Sequence, residues 1–234
     1  MTDPRLRFYF DYESPNAFLA WIELPKVAER RGVALDLVPV LYAALLDAHG
    51  QLGPGEMPAK GRWMGKNVLR KAALLGVSLN LPEFFPFNPL LALRVSMVPL
   101  EESDRRAVVD ALFRAVWVHG LHVSEAPVVT EVLDAVGLSG AALVAQAQTP
   151  EAKARLRRQT DDAIARGVFG VPAMEVGDEL FWGYDDLPDL ERFLAGNDSL
   201  DPEAWQRWSQ PRRPSSVRKQ FRSTQGPASS RDTR

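Results

Sequence analysis

The chain has 234 residues, 46% apolar and 25% charged, which fits a soluble globular protein of one domain, or one domain carrying a large insertion. Its formal net charge of −2 creates no overall field that would draw nucleic acid or a membrane surface. It contains no cysteine, which excludes disulfides, thiolate metal sites and a protein thiol nucleophile; any sulfur chemistry must use sulfur from another molecule.

No apolar run approaches the roughly 18 residues of a membrane span. The first residues, Met1-Thr2-Asp3-Pro4-Arg5, lack the charged-then-apolar order of a signal peptide, so the expected compartment is the cytoplasm. Leu6 to Asp11 is aromatic and alternating and reads as a strand. Ser14 is a preferred helix N-cap and Pro15 suits the first helical position, which predicts a helix from Pro15 to about Arg31, ended by Gly32. Pro25 lies inside it and is expected to kink it. Val33 to Val40 reads as a second strand, and the β-α-β unit implies that the two strands run parallel.

The middle of the chain predicts helices over Trp63–Leu75, Pro89–Ser96, Asp104–His119, Pro127–Val136, Gly140–Gln148 and Pro150–Arg166, with no strand between Tyr42 and Gly167. The last of these has Thr149 as N-cap, Pro150 at the first position and Gly167 just past its end. Strands return with Ala173–Val176 and Glu179–Trp182, joined by Gly177-Asp178 as a hairpin turn, and Asp186–Leu194 forms a short helix. The expected division is a sheet domain from residues 1–41 and 167–208, an all-helical insertion over 42–166, and a basic tail over 209–234. That tail carries seven basic residues against Asp232 and too few apolar groups to build a core, so it is expected to be disordered.

Two segments could carry chemistry. Ser14-Pro15-Asn16-Ala17 sits where a strand gives way to a helix, and a helix N-terminus offers free N–H groups and positive potential to an anion such as a thiolate. From local sequence alone Ser14 reads as a simple cap. Gly167-Val168-Phe169-Gly170-Val171-Pro172 enters a strand through a Val-Pro step. Cis there, it would leave the Val171 backbone to pair with an extended ligand; trans, it is an ordinary strand start. His119 and His122 lack the accompanying carboxylates and helical continuity of a metal site, and no metal is expected. No nucleophile elbow, Walker loop or dinucleotide fingerprint occurs.

Together, the order of these segments resembles the DsbA-type thioredoxin fold, an α/β fold with a large helical insertion between strands 2 and 3. Serine in the dithiol position resembles the 2-hydroxychromene-2-carboxylate isomerase family, which is related to the kappa-class glutathione transferases. Phe8-Tyr9-Phe10-Asp11 before Ser14, Pro58-Ala59-Lys60-Gly61, Phe85-Pro86-Phe87-Asn88-Pro89-Leu90 with Arg94, the Val171-Pro172 loop, and Phe181-Trp182-Gly183-Tyr184-Asp185 occur in family order.

The resemblance implies glutathione as the borrowed sulfur. Ser14 would hydrogen-bond its thiolate, Val171 beside a cis Pro172 would pair with its cysteinyl backbone, Lys60 would meet the glycyl carboxylate, and Asp185 the γ-glutamyl amine. Gln51 and Asp186 take further glutathione-facing positions, Asp186 where the family usually has arginine. Asn88 and Arg94 are implied for the organic substrate. The implied activity is cis-trans isomerisation of a conjugated aromatic-derived keto acid by reversible thiolate addition. Alternatives on the same scaffold are a glutathione transferase conjugating electrophiles and a non-catalytic thioredoxin-fold peptide-binding module. The expected partners are small molecules, with no nucleic acid or membrane, and a homodimer is possible.

Overall fold

Alternation along strand β1 (Arg5–Phe10) sends Leu6, Phe8 and Phe10 to one face, where all three are fully buried, and Arg7 and Tyr9 to the other. The computed structural model describes residues 5–210. Around β1 stand β2 (Ala34–Pro39), parallel to it, and β3 (Ala173–Val176), antiparallel; β4 (Glu179–Trp182) pairs antiparallel with β3, giving the sheet order β2-β1-β3-β4. The two halves expected to share one sheet do so through the β1–β3 pairing, with Arg7 opposite Glu175. The hairpin between β3 and β4 turns at Gly177, whose φ of 62° favours glycine.

Helix α1 (Pro15–Arg31) starts as expected. Ser14 caps it by accepting from the Ala17 N–H at 3.1 Å, and Gly32 ends it in the left-handed region at φ 64°. The helix runs through Pro25, and its buried side includes Phe18, Leu19, Trp21 and Leu24. The chain between β2 and β3 is helical throughout: α2 (Tyr42–His49), α3 (Pro58–Leu74), α4 (Leu90–Val95), α5 (Glu102–Trp117), α6 (Ala126–Asp134), α7 (Gly140–Ala147) and α8 (Pro150–Ala165), with a 3-10 turn at Pro54–Glu56. A second 3-10 turn (Tyr184–Asp186) and α9 (Leu187–Leu194) follow β4. Among these, α2 is the element its local sequence does not announce. Its N-cap, Leu41, has no capping side chain, and the Tyr42 N–H is instead taken by Asp11 Oδ2 at 2.8 Å from the end of β1. Helix α3 begins five residues before Trp63, with Pro58 as its first residue.

The insertion helices share the core of the sheet. Phe10, Tyr12 and Phe18 pack on Phe113 of α5 with ring centroids 4.7–5.8 Å apart, and the Trp117 indole donates to the Tyr12 carbonyl at 2.9 Å. On the opposite sheet face, Tyr9, Val40, Leu45, Ala163, Val168, Val171 and Ala173 form a second apolar cluster, which includes residues of α2 and α8. Residues up to 198 form one compact unit. Residues 199–210 belong to a second, in which Asp201 caps α10 (Pro202–Trp208) by accepting from the Glu203 N–H at 3.0 Å. The expected disordered tail lies outside the described residues, apart from Ser209 and Gln210. Among the described residues, no helix is long and apolar enough to cross a membrane.

Candidate functional site

Ser14 and the Val171-Pro172 loop, 157 residues apart in sequence, meet in space. The Ser14 hydroxyl lies 3.4 Å from the Val171 carbonyl oxygen, towards which it can donate, while its oxygen accepts the Ala17 N–H. Ser14 is therefore both a cap and a member of a two-segment site, and only 8% of its surface is exposed. The Val171-Pro172 peptide is cis. The Pro172 carbonyl accepts from Gly183 N–H at 2.9 Å, which ties the loop to β4, whereas the Val171 N–H has no partner among the described residues. Gly170 sits in close approach: a Cβ there would come within 2.7 Å of the Trp182 indole nitrogen, so the indole would have to shift. Phe169 packs on the same indole at 5.2 Å, so an aromatic wall flanks the loop.

The electrostatics beside Ser14 come from the end of β1. Asp11 is fully buried, and its two carboxylate oxygens accept from the Glu13 N–H at 3.1 Å and the Tyr42 N–H at 2.8 Å. Burial nevertheless dominates and raises its pKa to about 7, because no cation faces it. Burial likewise raises Glu13 to about 6. No acid stands in the first turn of α1, so the positive end of that helix is not neutralised from within.

A second polar corner lies at the 3-10 turn after β4. Lys71 of α3, with 12% of its side chain exposed, reaches Asp185 Oδ2 at 2.8 Å and Asn16 Oδ1 at 3.5 Å, and its ammonium lies 5.2 Å from the centre of the Tyr184 ring. Asn16 is the second residue of α1, so this corner adjoins Ser14 through the helix start. Asp186 plays a different part: its Oδ2 accepts the Trp182 N–H at 2.8 Å, a bond internal to the turn.

The other residues singled out from sequence are more dispersed. Lys60 is exposed in the first turn of α3, and Gln51 is exposed just after α2. Asn88 Oδ1 accepts the Leu90 N–H at 3.0 Å and so caps the start of α4. Arg94 lines a small cavity with Arg155 and Thr149, none of them in contact with Ser14. Among the tryptophans, Trp117 is buried, whereas Trp63 is 62% and Trp182 50% exposed.

Comparison with known proteins places this arrangement. The DSBA-like thioredoxin domain family matches residues 5–195. The chain belongs to the DsbA-like thioredoxin family. It is 31% identical over 189 residues to a 2-hydroxychromene-2-carboxylate isomerase of Sphingobium xenophagum, covering 80% of this chain and 96% of that one. A solved 2-hydroxychromene-2-carboxylate isomerase superposes with a TM-score of 0.76 at 30% identity, over 82% of this chain and 94% of the other. A glutathione S-transferase kappa 2 of Caenorhabditis elegans is 26% identical over 208 residues, 81% of this chain and 91% of that one.

Within this thioredoxin-fold site, sequence reading passed over Lys71 and underused Asp11. Lys71 sits in an amphipathic helix among other basic residues, and only the fold brings it to partners 55 and 114 positions away. Asp11 did carry a signal, being an acid directly after the aromatic run Phe8-Tyr9-Phe10.

Proposed function

We propose that this protein is a glutathione-dependent isomerase of a conjugated, aromatic-derived keto acid. The observation that carries the reading is the Ser14 hydroxyl, set at the N-terminus of a 17-residue helix and 3.4 Å from the Val171 carbonyl of the cis-proline loop. The named isomerase relatives support the reaction class.

The residues present fit the tripeptide. Val171 has an N–H with no partner among the described residues, available for strand-like pairing with the cysteinyl unit. The γ-glutamyl end carries an amine and a carboxylate, and the Asp185–Lys71 pair offers one opposite charge to each. Lys71 thus supplies a cation beside Asp185, while Asp186 is engaged by the Trp182 N–H. Lys60 and Gln51 are the groups proposed for the glycyl carboxylate. Bound there, glutathione would supply a thiolate that adds reversibly to the conjugated carbonyl compound, leaving a single bond free to rotate before the thiol departs. The task of Ser14 is to turn its hydroxyl proton from the Val171 carbonyl to the sulfur, and the field of α1 favours the anion. This reading puts the reaction in the cytoplasm, where glutathione stays reduced.

Calorimetric titration tests it. The wild type should bind glutathione, and Ser14→Ala and Lys60→Ala should bind more weakly. No detectable binding at millimolar ligand would sink the proposal. The kappa-class relative favours a second reading, a transferase that conjugates electrophiles. Product analysis separates the two: recovered free glutathione and a rearranged substrate mean isomerase, and a stable thioether means transferase.

A further inference from the structure

Away from Ser14, the end of α4, the end of α7 and the start of α8 enclose a cavity of about 140 Å³. Its polar lining is Arg94, Arg155, Gln146 and Thr149, over a floor that includes Met97 and Val98. No carboxylate lines it. The Arg94 Nε is shut off from solvent and has no hydrogen-bond partner. Its pKa is lowered by burial alone, with no acid acting on it. Arg155 is fixed by donating to the Met97 carbonyl at 2.7 Å, which leaves the rest of its guanidinium fork unspent. The first turn of the 16-residue helix α8 adds positive potential from the same side; Glu151, the acid in that turn, does not line the cavity. Two guanidinium groups therefore line one cavity with no carboxylate in that lining, and the unpaired Arg94 Nε forfeits its hydration.

We propose that this cavity is an anion site that takes one small oxyanion of the phosphate, sulfate or carboxylate class, held by Arg94 and Arg155. The volume admits a single such group and excludes a nucleotide or an aromatic acid. The guanidinium fork suits paired oxygens, which would be met by the parts of Arg94 and Arg155 that line the cavity. The site is separate from the proposed glutathione chemistry. Arg94 of α4 and Ser96, the residue that caps its end, stand two apart, where side chains do not share a face, and it is Ser96 that bonds the Tyr12 hydroxyl, at 2.6 Å.

Thermal melting of the full chain in sodium phosphate, sulfate or acetate, each against chloride at equal ionic strength, tests the proposal. At least one oxyanion should raise the melting temperature saturably, by about 3 °C or more well above its dissociation constant. A response to phosphate and sulfate but not acetate assigns a tetrahedral ligand, and an equal response to acetate assigns a carboxylate. Arg94→Leu and Arg155→Gln should each abolish the shift, and Arg94→Leu should melt no lower than wild type in chloride. Calorimetric titration of phosphate or acetate into Arg155→Gln keeps the test open if Arg94→Leu folds poorly. No oxyanion shift beyond chloride in the wild type, or a shift retained in either variant, overturns the proposal.

Discussion

Two carboxylates are buried at opposite ends of the central strands, and they are held in opposite ways. Glu175 of β3 receives the Arg166 Nε at 2.9 Å, Arg7 at 2.9 Å and the Tyr9 hydroxyl at 2.5 Å. Burial alone would raise its pKa, but these hydrogen bonds and the charges of Arg166 and Arg7 outweigh that and hold it below the ordinary carboxylate value. Asp11 of the β1–α1 link receives only backbone N–H groups, and burial leaves it near 7. The first is a fully partnered clamp across the sheet, away from any candidate chemistry. The second is a poorly compensated charge three residues before Ser14. In this fold the tightly satisfied polar group marks scaffold, and the under-satisfied one marks the working end.

The largest effect is expected at Glu175. Glu175→Ala leaves the buried Tyr9 hydroxyl unpaired, while Arg166 and Arg7, each more than a third exposed, return to water. With that solvent screening discounted, urea unfolding should show a loss of about 3 kcal/mol. A loss under 1 kcal/mol would mean the clamp is ornamental.

Asp11 gives the next effect, and its sign is opposite to that of a paired carboxylate. Its folded pKa, about 7, lies above the ordinary 3.8, so the native state holds the proton more tightly. The stability it contributes is full below about pH 4 and is lost as pH rises towards 7. Between pH 5 and 8 this costs on the order of 2 kcal/mol. Asp11→Asn should remove that slope, read as the difference between wild-type and variant unfolding curves across pH. Glu175 works the other way, its contribution present at neutral pH and lost on acidification.

Smaller effects sharpen the site itself. Lys71→Ala should weaken glutathione binding about tenfold, roughly 1.4 kcal/mol, with Lys71→Arg recovering part of it in the same calorimetric titration. Ser14→Ala should lower folding stability by about 1 kcal/mol through loss of the α1 cap, a cost that chemical denaturation measures separately from any loss of ligand.

Much of this was legible from residue order. The apolar alternation of β1, the Ser14-Pro15 start and Gly32 stop of α1, the Thr149-Pro150 start of α8 and the Gly177 turn are local signals, and the structure realises each. Helix α2 was not legible, because its first N–H is capped by Asp11 from 31 residues earlier, a tertiary substitute for a local cap. Of the two cis peptides among the described residues, the Val171-Pro172 step became legible only beside the family pattern, and the Phe85-Pro86 step carried no local mark. The site divides along the same line. Ser14 and Val171 announce themselves by helix start and proline step. The Lys71–Asp185–Asn16 corner exists only once α3, the turn after β4 and α1 are folded together.

The proposed chemistry requires that a chain without cysteine offer a thiolate-binding helix end at Ser14. Its most direct test is the ultraviolet absorbance of the glutathione thiolate, titrated with pH in the presence of saturating protein. The bound thiol should ionise well below the ordinary thiol value of about 8.5, and Ser14→Ala should move this midpoint back up while glutathione still binds. Bound glutathione whose thiol titrates as it does free in solution would contradict it.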